Sequence, residues 1–128
     1  MLSAVDQAVL NDLGLGYTTT AENGHVCLVL EAYPLPAGAD RPTTDLLIRL
    51  PTGFPDTRPN MFWFADDLRF GDTGTRAQAA DHTEAHVGRT WWRWSRHIND
   101  GWQPGDDLRT YLRYIDRCIS VAAGLVAA

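Results

Sequence analysis

Lysine is absent from this chain of 128 residues, and all eleven basic side chains are arginine. The plainest reading is a GC-rich coding sequence, which favours arginine, alanine, glycine and aspartate together. Cysteine is scarce as well: Cys27 and Cys118 are too few for a disulfide or zinc framework, and both read as small core hydrophobes. No apolar run approaches the ~20 residues of a membrane span. The opening stretch, MLSAVDQAVLNDLG, has no basic region ahead of its apolar residues and carries Asp6 and Asp12, so no secretory leader is expected. A net charge of −5 opposes general binding to phosphate backbones. These absences predict a cytoplasmic protein that spans 1–128 as one domain, with no cofactor, no nucleic acid and no membrane among its partners.

What is present suits a folded domain, since 45% of the residues are hydrophobic and only 21% charged. Ser3 is placed to cap a first helix, with Asp6 three residues later and Leu2, Val5, Val9 and Leu13 as its apolar stripe; Gly14 and Gly16 stop it. Strands are expected at 17–20 and 25–33, joined through Asn23-Gly24, the strongest short hairpin signal. In the second of these, Val26, Leu28 and Leu30 are the more apolar face. A third strand at 44–50 presents Leu46, Ile48 and Leu50, and a fourth reads at 61–64. Between them, proline-rich segments mark turns. Residues 65–90 have no clear period and read as a long surface loop. A last helix begins after Pro104-Gly105, capped by Asp106 or Asp107, with Leu108, Leu112, Ile115 and Ile119 at helical spacing and Tyr111, Tyr114 and Cys118 beside them. The order is α+β: helix, four-stranded antiparallel meander, long irregular segment, helix.

Two constellations draw notice. Arg89, Arg93, Arg96 and His97 form a basic strip within an acidic chain, which is also what a solvated face or an edge for an acidic partner looks like. His82 and His86 lie at i and i+4, a metal-compatible spacing on a helix, but the glutamate between them fits neither HExxH nor HxxEH, so no metal is expected. Trp91, Trp92 and Trp94 cannot all face inward from one element, and one of them is expected in an exposed groove.

The stretch TTDLLIRLPTGFPDTRPNMFWF, with Pro51, Phe54, Pro55 and Pro59 punctuating its turn, and the tail SRHINDGWQPGDDLRTYLRYI, with Trp102 and Pro104 ahead of the last helix, resemble the ubiquitin-conjugating (E2) superfamily. RWSRH followed by GWQPGDD is most similar to the bacterial branch called prokaryotic E2 family E. The resemblance implies the E2/UBC-like fold, an E1-like adenylating enzyme and a ubiquitin-like protein as partners, a possible target protein, and phage defence as a setting. It also implies that the first helix and the Phe54-Pro55 turn dock the E1. One departure is chemical. Where an ordinary E2 carries its catalytic cysteine, shortly before that tryptophan, this chain has Arg93-Trp94-Ser95-Arg96, and His86-Val87-Gly88 is at best a remnant of the usual His-Pro-Asn.

Ser95 is the only hydroxyl or thiol in that window. As acceptor it would form an oxyester, and a serine needs a base to take its proton. His97, two residues on, shares a face with Ser95 if the segment is extended; His86 is a second candidate. Arg93 and Arg96 could hold the oxyanion. Cys118, on the last helix, is expected to face away from the tryptophan-proline turn. A chain without lysine also offers no competing lysine amine of its own to an activated carboxyl. The alternatives are an E2-like binding or scaffold module that forms no bond, and an unrelated domain with a small-ligand pocket under the tryptophans.

Overall fold

A computed structural model describes residues 2–98 and 101–127. Helix α1 (Ala4–Leu13) starts where the Ser3 hydroxyl accepts from the Asp6 N–H at 3.1 Å and ends on Gly14, whose left-handed φ of 69° turns its N–H back to the last carbonyls. The buried stripe is rotated from the expected one. Val9 and Leu10 go into the core, while Val5 and Leu13 stay exposed. Strands β1 (Tyr17–Glu22) and β2 (His25–Pro34) form the hairpin, with Asn23 and Gly24 at φ 50° and 77° as the two-residue turn that matches strand twist. Strand β3 (Thr43–Pro51) pairs with β2, and β4 (Phe62–Phe64) pairs with β3 through Leu46 and Leu47.

The expected meander is therefore present, and the sheet continues beyond it. Residues 65–90 are not one loop. They hold β5 (Arg69–Phe70), β6 (Thr75–Arg76) and β7 (His82–His86), and lead into β8 (Arg89–Trp94). The main sheet runs β1-β2-β3-β4-β8-β7, antiparallel throughout, and β5 and β6 form a small second sheet. Asp67 anchors that ribbon, accepting from Arg69 at 2.9 Å and from Arg76 at 2.9 and 2.7 Å. Helix α2 (Leu108–Ala122) opens with a capping box between Asp107 and Thr110 and buries Leu108, Tyr111, Leu112, Ile115 and Ile119. No helix of the described residues is long and apolar enough to cross a membrane.

Strand alternation gives the sheet two cores. One face carries Leu28, Leu30, Leu46, Ile48, Phe62, Phe64 and Trp94, packed with α1 and α2. The other carries Cys27, Val29, Leu47, Trp63 and Trp91, joined by Met61, Ala65 and Val87. The three neighbouring tryptophans divide accordingly. Trp91 and Trp94 are fully buried in opposite cores, and Trp92 is half-buried beneath the Arg76 guanidinium at 5.2 Å. None of the three stands in an exposed groove, because β8 is an interior strand and not the lid of a loop.

Candidate active site

The proline-rich turn after β3 is held by tryptophan. Phe54 and Trp102 are in ring contact at 6.2 Å, and the Trp102 indole N–H donates to the Pro55 carbonyl at 2.9 Å. The Phe54–Pro55 peptide is cis. Trp102 also meets Tyr111 of α2 edge-on, and Tyr111 stacks on Tyr114. The end of the turn is clamped at Met61, whose φ is 63°. Its N–H donates to the Arg96 carbonyl at 3.0 Å, and its carbonyl accepts from the buried Tyr111 hydroxyl at 2.5 Å. Burial pushes the Tyr111 hydroxyl far above the ordinary phenol range, so it stays a donor. A non-glycine residue in this conformation persists only where its surroundings fix it, and here both of its backbone groups are fixed.

Ser95 lies just past the end of β8, half-buried, with its N–H donating to the Ala79 carbonyl at 3.0 Å. Arg96 lies beside it. The guanidinium donates to the Ser95 carbonyl at 3.2 Å and the Gln78 carbonyl at 2.8 Å, and sits 5.2 Å from the centre of the Trp94 ring. His97 is exposed, and its Nδ1 bonds the Asn60 carboxamide oxygen at 2.5 Å. His97 and Asn60 line an open cleft of about 530 Å³ with Asp56, Thr57, Arg58 and Trp102. Ser95 is at the strand end and is not part of that lining.

Two expected residues belong elsewhere. Arg93 lies on the second sheet face and donates to Glu84 at 2.7 Å. His86 pairs with Arg89 at the far end of the β7–β8 hairpin. From Arg89 to Ser95 the chain advances six positions, about 20 Å at strand rise. Both ring nitrogens of His86 face carboxylates, Nδ1 at 3.0 Å from Glu22 and Nε2 at 3.1 Å from Glu84. The structure therefore places His86 and Arg93 in one charge network, whose histidine end is remote from Ser95. His82 and His86 are on a strand, so their i and i+4 spacing separates them by about 13 Å along it rather than converging them. Among the described residues no group of three His, Cys, Asp or Glu side chains is placed to hold a metal ion.

Cys118 contacts Tyr114 and Arg96, the arginine that flanks Ser95. Burial pushes its thiol up, against the pull of Tyr114 and Arg96, and the same burial raises Tyr114 to about 12. Cys27 is fully buried in the second core. Sequence reasoning missed Asn60. Its one signal is its place at the end of the proline run, next to a residue that must bend.

Comparison with protein families matches residues 2–122 to the one described as prokaryotic E2 family E. No curated protein and no solved structure matches.

Proposed function

The chain belongs to prokaryotic E2 family E, and on that premise we propose that it carries a ubiquitin-like modifier in a bacterial conjugation pathway, as an oxyester on Ser95. The observation that carries this reading is the position of Ser95. It is the one hydroxyl or thiol in the window where an E2 nucleophile belongs, at the exit of β8 with its backbone pinned and a guanidinium alongside. The Ser95 hydroxyl oxygen attacks the modifier's C-terminal carbonyl, activated by an E1-like enzyme at the expense of ATP. The bond from that carbon to the activating group breaks, and the serine proton passes to the His97 ring. In the second step an amine attacks the ester, the serine oxygen leaves and recovers a proton, and an amide remains. Arg96, whose guanidinium lies on the Ser95 backbone carbonyl, is the cation assigned to the developing oxyanion. Helix α1 and the Phe54–Pro55 turn are the surface offered to the E1-like partner.

The second reading is a module that binds the modifier or the E1-like enzyme without a covalent step. One observation favours it: the His97 ring bonds Asn60 and not Ser95.

Intact mass after incubation with the cognate E1-like enzyme, modifier and ATP separates the two. The carrier gives an adduct that survives thiol reductant, is cleaved by hydroxide and is lost in Ser95→Ala. In Ser95→Cys the adduct becomes reductant-labile. Tight binding of either partner with no adduct establishes the module instead.

The missing lysines fit the same chemistry. Gln78 is exposed and its carbonyl shares the Arg96 guanidinium with Ser95. Gln78→Lys should therefore raise self-conjugation, detected as a hydroxide-resistant adduct mapped to residue 78. An unchanged level leaves codon bias as the sufficient account of the lysine deficit.

A further inference from the structure

Residues 60–61 and 96–97 are joined twice, side by side. Met61 is tied through its backbone to Arg96, and Asn60 through its side chain to His97. The first link holds the second in place. Met61 bends the chain at φ 63°, with Arg96 on its N–H and Tyr111 on its carbonyl, and that bend delivers the Asn60 carboxamide to the imidazole. An exposed histidine otherwise has little to orient it, and a free neutral imidazole in water prefers its proton on Nε2. A carboxamide oxygen only accepts, so at 2.5 Å it requires the proton on Nδ1. A neutral ring with Nδ1–H has its lone pair on Nε2.

We infer that Asn60 is a positioning residue that fixes His97 in the Nδ1–H tautomer and leaves Nε2 as the basic atom of the ring. The inference deepens the carrier reading and rests on it for the use of that base, while the tautomer itself can be read without any partner. The charged groups sharing the cleft are Asp56 and Arg58, with Arg96 behind the ring in sequence. A histidine base works only if the nitrogen aimed at the proton it removes is the unprotonated one, so selecting the tautomer acts on rate more than on binding.

The test starts with ring nitrogen NMR on the full chain, labelled with ¹⁵N at histidine and assigned by His97→Gln. Above its titration, His97 should show the Nδ1–H pattern. In Asn60→Ala it should move towards Nε2–H, with circular dichroism unchanged. Asn60→Asp should keep Nδ1–H and titrate at higher pH, because a carboxylate stabilises the imidazolium. A wild-type ring in the Nε2–H form overturns the inference, as does a pattern indifferent to Asn60→Ala. Loading of Ser95 is then timed with the E1-like enzyme, modifier and ATP. Asn60→Ala should load roughly 10- to 100-fold more slowly, at a similar half-saturating concentration of charged E1. Asn60→Asp should recover the rate, with its rise displaced to higher pH. If Asn60→Ala loses the tautomer and loads at the wild-type rate, the positioning role is overturned. If the tautomer is as stated and Ser95 is never loaded, the carrier reading fails and the ring geometry stands.

Discussion

Trp94→Ala is expected to lower unfolding stability by about 3–5 kcal/mol, the range for deleting a fully buried large aromatic side chain. Trp94 is 1% exposed and closes a cluster of rings, with Phe62, Phe64 and Phe70 at 5.7, 5.2 and 6.1 Å. It is the last residue of β8 and pairs with Phe62, so the cavity would open where the sheet meets Ser95. Urea unfolding at neutral pH measures the loss, and the melting temperature should fall by on the order of 10 °C or more. Trp94→Phe should recover most of the stability, since one ring then fills part of the space of two. Trp92→Ala supplies the contrast. That residue is half-buried, its main partner is the Arg76 guanidinium, and the contact is worth about 1 kcal/mol. A Trp92→Ala loss equal to that of Trp94→Ala would contradict the division of these side chains between core and rim. If the proposed carrier function holds, loading of Ser95 should fall in Trp94→Ala beyond the change in folded fraction, because Arg96 stacks on the lost ring and bonds the Ser95 carbonyl.

What the sequence made legible follows from which forces are local. The Asn23-Gly24 turn, the Ser3 and Asp107 caps and the spacing of Leu108, Leu112, Ile115 and Ile119 are set by neighbours along the chain, and each is found in place. The Trp102–Pro104 approach to α2 could be read because the resemblance lies there. Strand β7 could not. HTEAH has no apolar alternation, since it is an edge strand whose partly buried groups are Glu84 and His86, and its turn is Val87-Gly88 at φ 46° and 75° without an asparagine. Polar residues facing a polar network leave no hydrophobic period to detect. The rotated stripe of α1 shows the reverse error. Val5 and Leu13 satisfy helical spacing, and only the direction from which the sheet arrives decides that Val9 and Leu10 are covered. Asn60 and Cys118 were illegible for a third reason: their partners, His97 and Arg96, are brought to them by tertiary structure alone.

Glu84→Ala should cost about 2 kcal/mol, a large effect for a side chain still about a quarter exposed. Its two oxygens accept from the Trp63 indole at 2.9 Å and Arg93 at 2.7 Å, and one of them faces the His86 Nε2 at 3.1 Å. Removing it leaves two donors and the His86 ring without that partner, beside an Arg93 Nε that is already buried without one. The network does more than tie neighbours. Strands β1 and β7 are opposite edges of the sheet, yet Glu22 of β1 meets the His86 Nδ1 of β7 at 3.0 Å and accepts from the Val87 N–H at 2.8 Å. The curled sheet is thereby pinned over its second core, and Glu84 holds the other nitrogen of the same histidine. Glu84→Gln keeps one acceptor and the shape but loses the charge, so its cost should be smaller.

The carboxylates also fix the sign of the acid response. Burial pushes Glu84 up, but His86, Trp63 and Arg93 outweigh it and hold the group below its ordinary 4.5, while the Val87 N–H and His86 hold Glu22 below the same value. The unfolded chain then binds more protons than the folded one, so stability rises with pH through this window. The contribution is present above about 4.5 and disappears as pH falls through the lower folded values. Asp67 acts in the same direction, held at about 2 against 3.8 by Arg76, with Arg69 adding to it against a smaller burial effect. Asp116, raised by burial, acts in the opposite direction. Urea midpoints measured from pH 7 down to 3 should therefore decline less steeply in Glu84→Ala than in the wild type, with the Asp67 share of the decline intact. Parallel curves would mean that Glu84 is not bound to His86 and Arg93 in solution, and the pinning of the sheet edges would have to come from Glu22 and Val87 alone.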